Sequence, residues 1–276
     1  MTLLVAVLAL LLGAGAVTAQ ELRMVPVTVD GEAVKLAMRI YTPATPGPVP
    51  TLVFNHGSTG GGTNPDIMVR SIDFPALAKF FTDRGWAVVM PARRGRGGSE
   101  GVYDEGFGAD RSRGYTDEPS ISIAGAERAL RDIDAAMTAI VAMPFVDRER
   151  LIIGGQSRGG ILAVVWAATR PGRAKAVINF VGGWHGMMRT NGTLVNRTLF
   201  GRGGAYPQEI LWLYGDEDPF YDLSYSRENF AAFQAAGGKG AFVEFRRPAT
   251  NSGHRIVEFP EMWSGAVDAY LTRQGF

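Results

Sequence analysis

One stretch near the middle of the chain constrains the fold more than any other. Leu151-Ile152-Ile153 is a short apolar run of buried-strand type, Gly155-Gln156-Ser157-Arg158-Gly159 follows it, and Ile161–Ala168 continues as an apolar helical stretch. A strand that turns into a helix over so few residues needs glycine on both sides of the apex. Backbones converge there, and a side chain at either position would clash with the strand or the helix. The apex residue, Ser157, lies at a helix N-terminus, where the backbone dipole stabilises developing negative charge. The plainer reading is a tight strand-to-helix turn and nothing more.

The same Gly-x-Ser-x-Gly spacing occurs at Gly97-Gly98-Ser99-Glu100-Gly101. That copy follows Arg93-Arg94-Gly95-Arg96 and runs on into further loop residues, with no strand before it and no helix after it. Ser99 is therefore expected to be a loop residue without a catalytic role.

Around the central stretch the chain alternates between strands and helices. Leu22–Val29 and Ala33–Tyr41 flank Asp30-Gly31 and predict an antiparallel hairpin. After Pro43–Pro50 come short apolar runs at Thr51–Phe54, Trp86–Met90, Leu151–Ile153, Ala176–Val181, Ile210–Tyr214 and Ala241–Phe245. Helical periodicity appears at Phe74–Arg84, Ser122–Met143, Gly159–Ala168, Tyr225–Ala236 and Pro260–Arg273. The expected fold is an α/β domain over residues 20–276: a mainly parallel central sheet, an N-terminal antiparallel hairpin and helices on both faces. Two connections, about 92–119 and 182–207, are too long for simple turns. Both leave the C-terminal ends of strands, where open α/β sheets bind ligands, so they are expected to wall a pocket.

Bulk properties exclude several classes. A formal charge of +1 on 276 residues, with 20% charged and 46% hydrophobic, fits neither a disordered chain nor a polyanion binder, so no nucleic-acid partner is expected. Cysteine is absent, which removes disulfides, thiolate metal sites and a cysteine nucleophile. Residues 3–12 form an apolar run of signal-peptide length, and small residues lead to Val17-Thr18-Ala19. Residues 1–19 are thus expected to be a signal peptide and the chain to be secreted or periplasmic, with no stable membrane insertion after cleavage. The n-region lacks Lys and Arg, and an uncleaved N-terminal membrane anchor is the alternative.

A serine hydroxyl needs a base to take its proton during attack. The chain has three histidines. His56 ends the strand Thr51–Phe54 and shapes the loop behind it, and His185 lies in the long connection after Val181 beside Trp184, as a pocket or a surface residue. His254 follows the final strand and alone satisfies the order serine, acid, histidine. The acid is expected in Gly215-Asp216-Glu217-Asp218-Pro219-Phe220. Asp218 is favoured because Pro219 holds it extended, and Asp216 is the alternative. The oxyanion requires fixed N–H donors, one from Arg158 and one from the loop Asn55-His56-Gly57-Ser58-Thr59-Gly60, with Ser58 first and Thr59 second. The Arg158 side chain is expected either to pair with Asp104 or Glu105 or to bind a substrate carboxylate.

These residues resemble the α/β-hydrolase superfamily, and most closely its dienelactone-hydrolase-like and prolyl-oligopeptidase-like branch. The resemblance covers residues 22–276 and rests on Phe54-Asn55-His56-Gly57, the loop Arg93–Gly101, the turn at Ser157, Gly215-x-x-Asp218 and Gly253-His254. It implies an α/β-hydrolase fold, supports Asp218 as the acid, and implies that the Arg- and Gly-rich loop, including Arg94, shapes the pocket. Dienelactone hydrolases carry cysteine where this chain has Ser157, which points toward ordinary esters. About fifty residues precede the first parallel strand, so no propeller of the prolyl-oligopeptidase kind is expected to select peptides.

The expectation is a serine hydrolase acting on a small-molecule ester through an acyl-enzyme, with Ser157, Asp218 and His254 as its triad and with no metal or organic cofactor. A small peptidase or amidase is the nearest alternative. A non-catalytic binding protein on a hydrolase fold is the alternative of a different class.

Overall fold

The computed structural model describes residues 19–276. The first two strands, β1 (Ala19–Val29) and β2 (Glu32–Thr42), pair antiparallel across a turn at Asp30 and Gly31, both with positive φ. That is the two-residue turn whose twist matches a hairpin. Six further strands follow: β3 (Val49–Asn55), β4 (Ala87–Pro91), β5 (Val146–Gln156), β6 (Ala176–Phe180), β7 (Glu209–Gly215) and β8 (Lys239–Phe245). They form one sheet in the order β1-β2-β4-β3-β5-β6-β7-β8, antiparallel from β1 to β4 and parallel beyond. The residues 3–12 and the sequence up to Thr18, on which the leader was read, lie outside the described residues. Among those described, no helix is long and apolar enough to cross a membrane.

The order places the crevice. From β3 the chain runs outward to β4, then returns to the other side of β3 as β5. The C-terminal ends of β3 and β5 therefore lie side by side, Asn55 opposite Gly155, and the loops after them diverge in opposite directions.

The helices are α1 (Pro65–Val69), α2 (Pro75–Thr82), α3 (Pro119–Ile140), α4 (Arg158–Thr169), α5 (Gly192–Gly203), α6 (Leu223–Ala235) and α7 (Pro260–Arg273). α2 and α7 pack together on one face; α3, α4, α5 and α6 pack in succession on the other. α4 is buried from Arg158 to Ala168, as expected for a helix apolar on every side. Burying side chains such as Leu162, Val165 and Trp166 stabilises the fold by about 1.5–3 kcal/mol each.

Two elements differ from the sequence reading. The connection 182–207 contains α5, whose Gly-Thr-Leu-Val-Asn-Arg-Thr start has poor helix propensity. It forms because Val195, Leu199 and Phe200 are buried in its contact with α4 and α6, a tertiary gain that outweighs propensity. β5 begins five residues before the apolar run Leu151–Ile153, with Arg148, Glu149 and Arg150 exposed, since an exposed strand start carries no hydrophobic signature.

The glycines flanking Ser157 are fixed by close approach. A Cβ on Gly155 would stand 2.3 Å from the Gly159 carbonyl carbon, and one on Gly159 would stand 2.0 Å from the Asn55 carbonyl oxygen. Both obstacles are backbone, which cannot step aside. Gly159→Ala is expected to cost about 3 kcal/mol or more, whereas Gly265→Ala on α7, where nothing lies within 4 Å, is expected to gain up to about 1 kcal/mol. Urea unfolding midpoints of the two variants check this contrast.

Candidate active site

Ser157 occupies the apex between β5 and α4 with φ 58° and ψ −125°, a conformation costing a non-glycine residue about 1–3 kcal/mol. It stands at the N-cap, yet its hydroxyl makes no capping bond. Ser157 borders a cavity of about 490 Å³ together with His254, Arg158, Ser58, Trp184 and His185.

His254 lies on the short 3-10 turn Gly253–Glu258 after β8, and its Nδ1 pairs with Asp218 Oδ2 at 2.8 Å. The Asp218 side chain is wholly buried. Its Oδ1 accepts from the backbone N–H groups of Phe220 (2.8 Å) and Tyr221 (3.1 Å), so the turn that follows Asp218 also orients it. Gln156 Nε2 donates to the His254 carbonyl at 3.0 Å, joining the residue before Ser157 to the histidine loop. Phe220 packs edge-on against the imidazole at 4.9 Å. With Nδ1 engaged by Asp218, Nε2 is the ring nitrogen free to act toward the cavity.

The backbone around Ser157 supplies donors. Ser58 follows β3, and a Cβ on Gly57 would come within 3.0 Å of Ser157 Cβ, so this loop passes directly against the serine. Among the described residues, the N–H groups of Ser58 and Arg158 have no hydrogen-bond acceptor. The Thr59 N–H is already given to the Tyr115 hydroxyl at 3.2 Å. That separates the two amides that the sequence left as first and second choice.

The remaining sequence-level candidates divide. Trp184 and His185 line the cavity; burial and the nearby positive charges of Arg158 and Arg189 push His185 down to about 3, so it is neutral and shares a hydrogen bond with Ser122 at 2.8 Å. His56, Thr59 and Arg94 do not line it. His56 is buried and neutral, its Nδ1–H on the Gly57 carbonyl (2.7 Å) and its Nε2 accepting from Arg93 N–H (3.1 Å). The expectation that Arg94 shapes the pocket wall is corrected. Its guanidinium points to Asp132 (2.6 Å) and Asp30 (3.1 Å), tying the hairpin turn to α3. Ser99 is buried with its hydroxyl saturated, donating to the Ala92 carbonyl (2.7 Å) and accepting from Ala37 N–H (2.9 Å). Asp216 accepts from the backbone N–H of Arg247, away from His254.

The Arg158 guanidinium is buried between the rings of Tyr115 (3.9 Å) and Trp184 (4.2 Å). It donates to the carbonyls of Glu105 (2.7 Å) and Trp184 (3.1 Å) and lies 3.5 Å from the Glu105 carboxylate. Of the two roles read from the sequence, the pairing with Glu105 is the one formed. Burial alone would raise Glu105, but Arg93 and Arg158 outweigh it and hold its pKa below the ordinary value. Sequence reasoning missed Tyr221, whose hydroxyl donates to the Gly183 carbonyl (2.8 Å) and faces Ser157. Its place three residues after Asp218 was a usable signal. The sequence offers Glu105 as a partner for Arg158 but carries no signal for its pairing with Arg93, because eleven loop residues lie between them.

Residues 30–209 match the model of a family described as X-Pro dipeptidyl-peptidase (S15 family). Similar solved structures include Est1E from Butyrivibrio proteoclasticus with ferulic acid bound (17% identity, 90% of this chain and 98% of that one, TM-score 0.62). An acetyl xylan esterase from Paenibacillus sp. R4 also matches (17%, 94% and 89%, TM-score 0.62). A third match is an acylaminoacyl peptidase from Pyrococcus horikoshii (16%, 86% and 38%, TM-score 0.58). At these identities the likeness is one of fold, and the fold is that of the α/β-hydrolases.

Proposed function

The chain belongs to the X-Pro dipeptidyl-peptidase (S15) family of serine hydrolases, and from that membership we propose that it cleaves small-molecule carboxylic esters through an acyl-enzyme rather than removing dipeptides. The charge of the cavity wall carries this reading. An enzyme that removes a dipeptide must hold the free α-ammonium of its substrate, which takes a carboxylate or a cluster of acceptors out of bulk water. Among the described residues, the cavity is bordered by Arg158, Arg189 and Arg255 and by no Asp or Glu. A cation bound there would meet charges of its own sign.

In the proposed mechanism Ser157 Oγ attacks the ester carbonyl while His254 Nε2 takes its proton, Asp218 holds the imidazole in the required tautomer, and the N–H groups of Arg158 and Ser58 receive the oxyanion. His254 then gives the proton to the leaving alcohol, and a water activated by the same imidazole releases the acid. No Ser157–His254 hydrogen bond is made in the resting structure among the described residues. The mechanism forms it as substrate enters, as free hydrolases commonly do. We assign residues 1–19 to an export leader, on the apolar run and the small residues before Gln20.

Turnover of 4-nitrophenyl acetate and butyrate against dipeptidyl and aminoacyl 4-nitroanilides tests the substrate class. Ester kcat/KM is expected to exceed that for the anilides by about a hundredfold or more, since an unpaired charge in a desolvated site costs several kcal/mol. Comparable turnover of a glycyl-prolyl anilide would return the assignment to a dipeptidyl peptidase.

A further inference from the structure

We infer that the buried ion chain Arg93–Glu105–Arg158 is a positioning device that sets both halves of the oxyanion site. The inference rests on the esterase mechanism proposed above and assigns a role to two residues outside the cavity wall.

The first half depends on peptide geometry. In a trans peptide the carbonyl of one residue and the N–H of the next point in opposite directions, and the structure holds no cis peptide among its described residues. The Gly57 carbonyl accepts from His56 Nδ1 (2.7 Å), Arg93 Nη2 (3.3 Å) and Arg96 Nη1 (3.4 Å). A carbonyl oxygen has two lone pairs, and three donors saturate it. The Ser58 N–H is thereby fixed on the side away from both guanidiniums, on a loop pressed against Ser157. Charged donors on the carbonyl also polarise the peptide and strengthen that N–H as a donor.

The second half is reached through Glu105. Arg93 Nε is hydrogen-bonded to one carboxylate oxygen of Glu105, and Arg93 Nη1 also holds the His56 carbonyl at 2.9 Å. The other Glu105 oxygen accepts from Tyr103 (2.9 Å) and faces Arg158 Nη1 at 3.5 Å. Arg158 is the residue whose own N–H is the other oxyanion donor. All three side chains are at most 3% exposed. The loop after β3 and the first turn of α4 are thus fastened to one carboxylate, and neither can shift without stretching a desolvated charge pair. The charges are also uneven. Arg93 and Arg158 share Glu105 as their one ion-pair partner among the described residues, and Arg96 donates to the Gly57 carbonyl, leaving positive charge beside the place where an oxyanion develops. Neither Arg93 nor Glu105 borders the cavity, so neither touches substrate.

The test uses the full chain and the variants Arg93→Met, Arg93→Lys and Glu105→Gln, with folding followed by near-UV circular dichroism. Ester kcat is expected to fall about a hundredfold in Arg93→Met, the scale of losing one oxyanion donor, with KM changed less than threefold. The rate ratio of an oxoester to its thionoester should fall with it, because sulfur uses oxyanion donors poorly; general loosening of the fold would lower both rates alike. Arg93→Lys should recover at least tenfold. Should Arg93→Met not fold, the isosteric Glu105→Gln carries the same expectation at about tenfold. A folded Arg93→Met or Glu105→Gln enzyme with kcat and oxo/thiono ratio within threefold of the parent overturns the inference. Fluorophosphonate labelling of the parent at Ser157 separates the two levels: label at Ser157 with an unaffected Arg93→Met sinks only the positioning role, whereas no label at Ser157 sinks the mechanism beneath it.

Discussion

Ser157→Ala is expected to abolish ester hydrolysis, by about a millionfold in kcat, the scale seen when a triad serine is removed, and to abolish fluorophosphonate labelling with it. Ser99→Ala is the informative companion, because both serines lie in the same five-residue pattern. Ser157 has a strained backbone and a hydroxyl unused by its helix, whereas Ser99 spends its hydroxyl on Ala92 and Ala37. Ser99→Ala should retain full labelling and lose stability. Two buried backbone groups would lose their partner, which costs about 1–3 kcal/mol, or about 2–4 °C of Tm per kcal/mol in a chain of this size. Undiminished labelling of Ser157→Ala, or labelling lost in Ser99→Ala with the fold intact, would reverse the assignment.

The contrast between the two serines also shows what a sequence can disclose. The pattern Gly-x-Ser-x-Gly is local, and so is the context that separates its copies: a buried run before Ser157 and an apolar helix after it, against arginines and glycines around Ser99. A local signal likewise located the hairpin, because its turn depends on the adjacent pair Asp30-Gly31. Where the decisive contact spans the fold, legibility ended. α5 exists because its apolar side meets α4, and nothing within Gly192–Gly203 announces that partner. The resemblance puts Arg94 at the pocket, yet no residue of the loop Arg93–Gly101 borders it. Which way the guanidinium turns is decided by Asp132, thirty-eight positions along on α3. The same limit hid the pairing of Arg93 with Glu105, which is a property of how the 92–119 loop folds back on itself.

The acid offers the sharpest test of a choice the sequence left between neighbours. Asp218→Asn is expected to lower kcat about ten-thousandfold, the cost of the same exchange in other serine triads, while stability changes little. The reason lies in the two oxygens. Oδ1 accepts from the N–H groups of Phe220 and Tyr221, so an asparagine keeps its carbonyl there and turns its amide toward His254 Nδ1. An N–H donor at that position demands an unprotonated Nδ1, which leaves the proton on Nε2 and removes the base that Ser157 needs. Asp216→Asn, two residues away, changes only an oxygen that serves the Arg247 backbone and should keep kcat within about threefold, as surface changes away from a site usually do. Steady-state kinetics on 4-nitrophenyl butyrate for the two variants decides the matter, and a large loss in Asp216→Asn with an active Asp218→Asn would move the acid to Asp216. Because His254 meets Asp218 through a buried carboxylate clamped by its own turn, the geometry commits to one outcome.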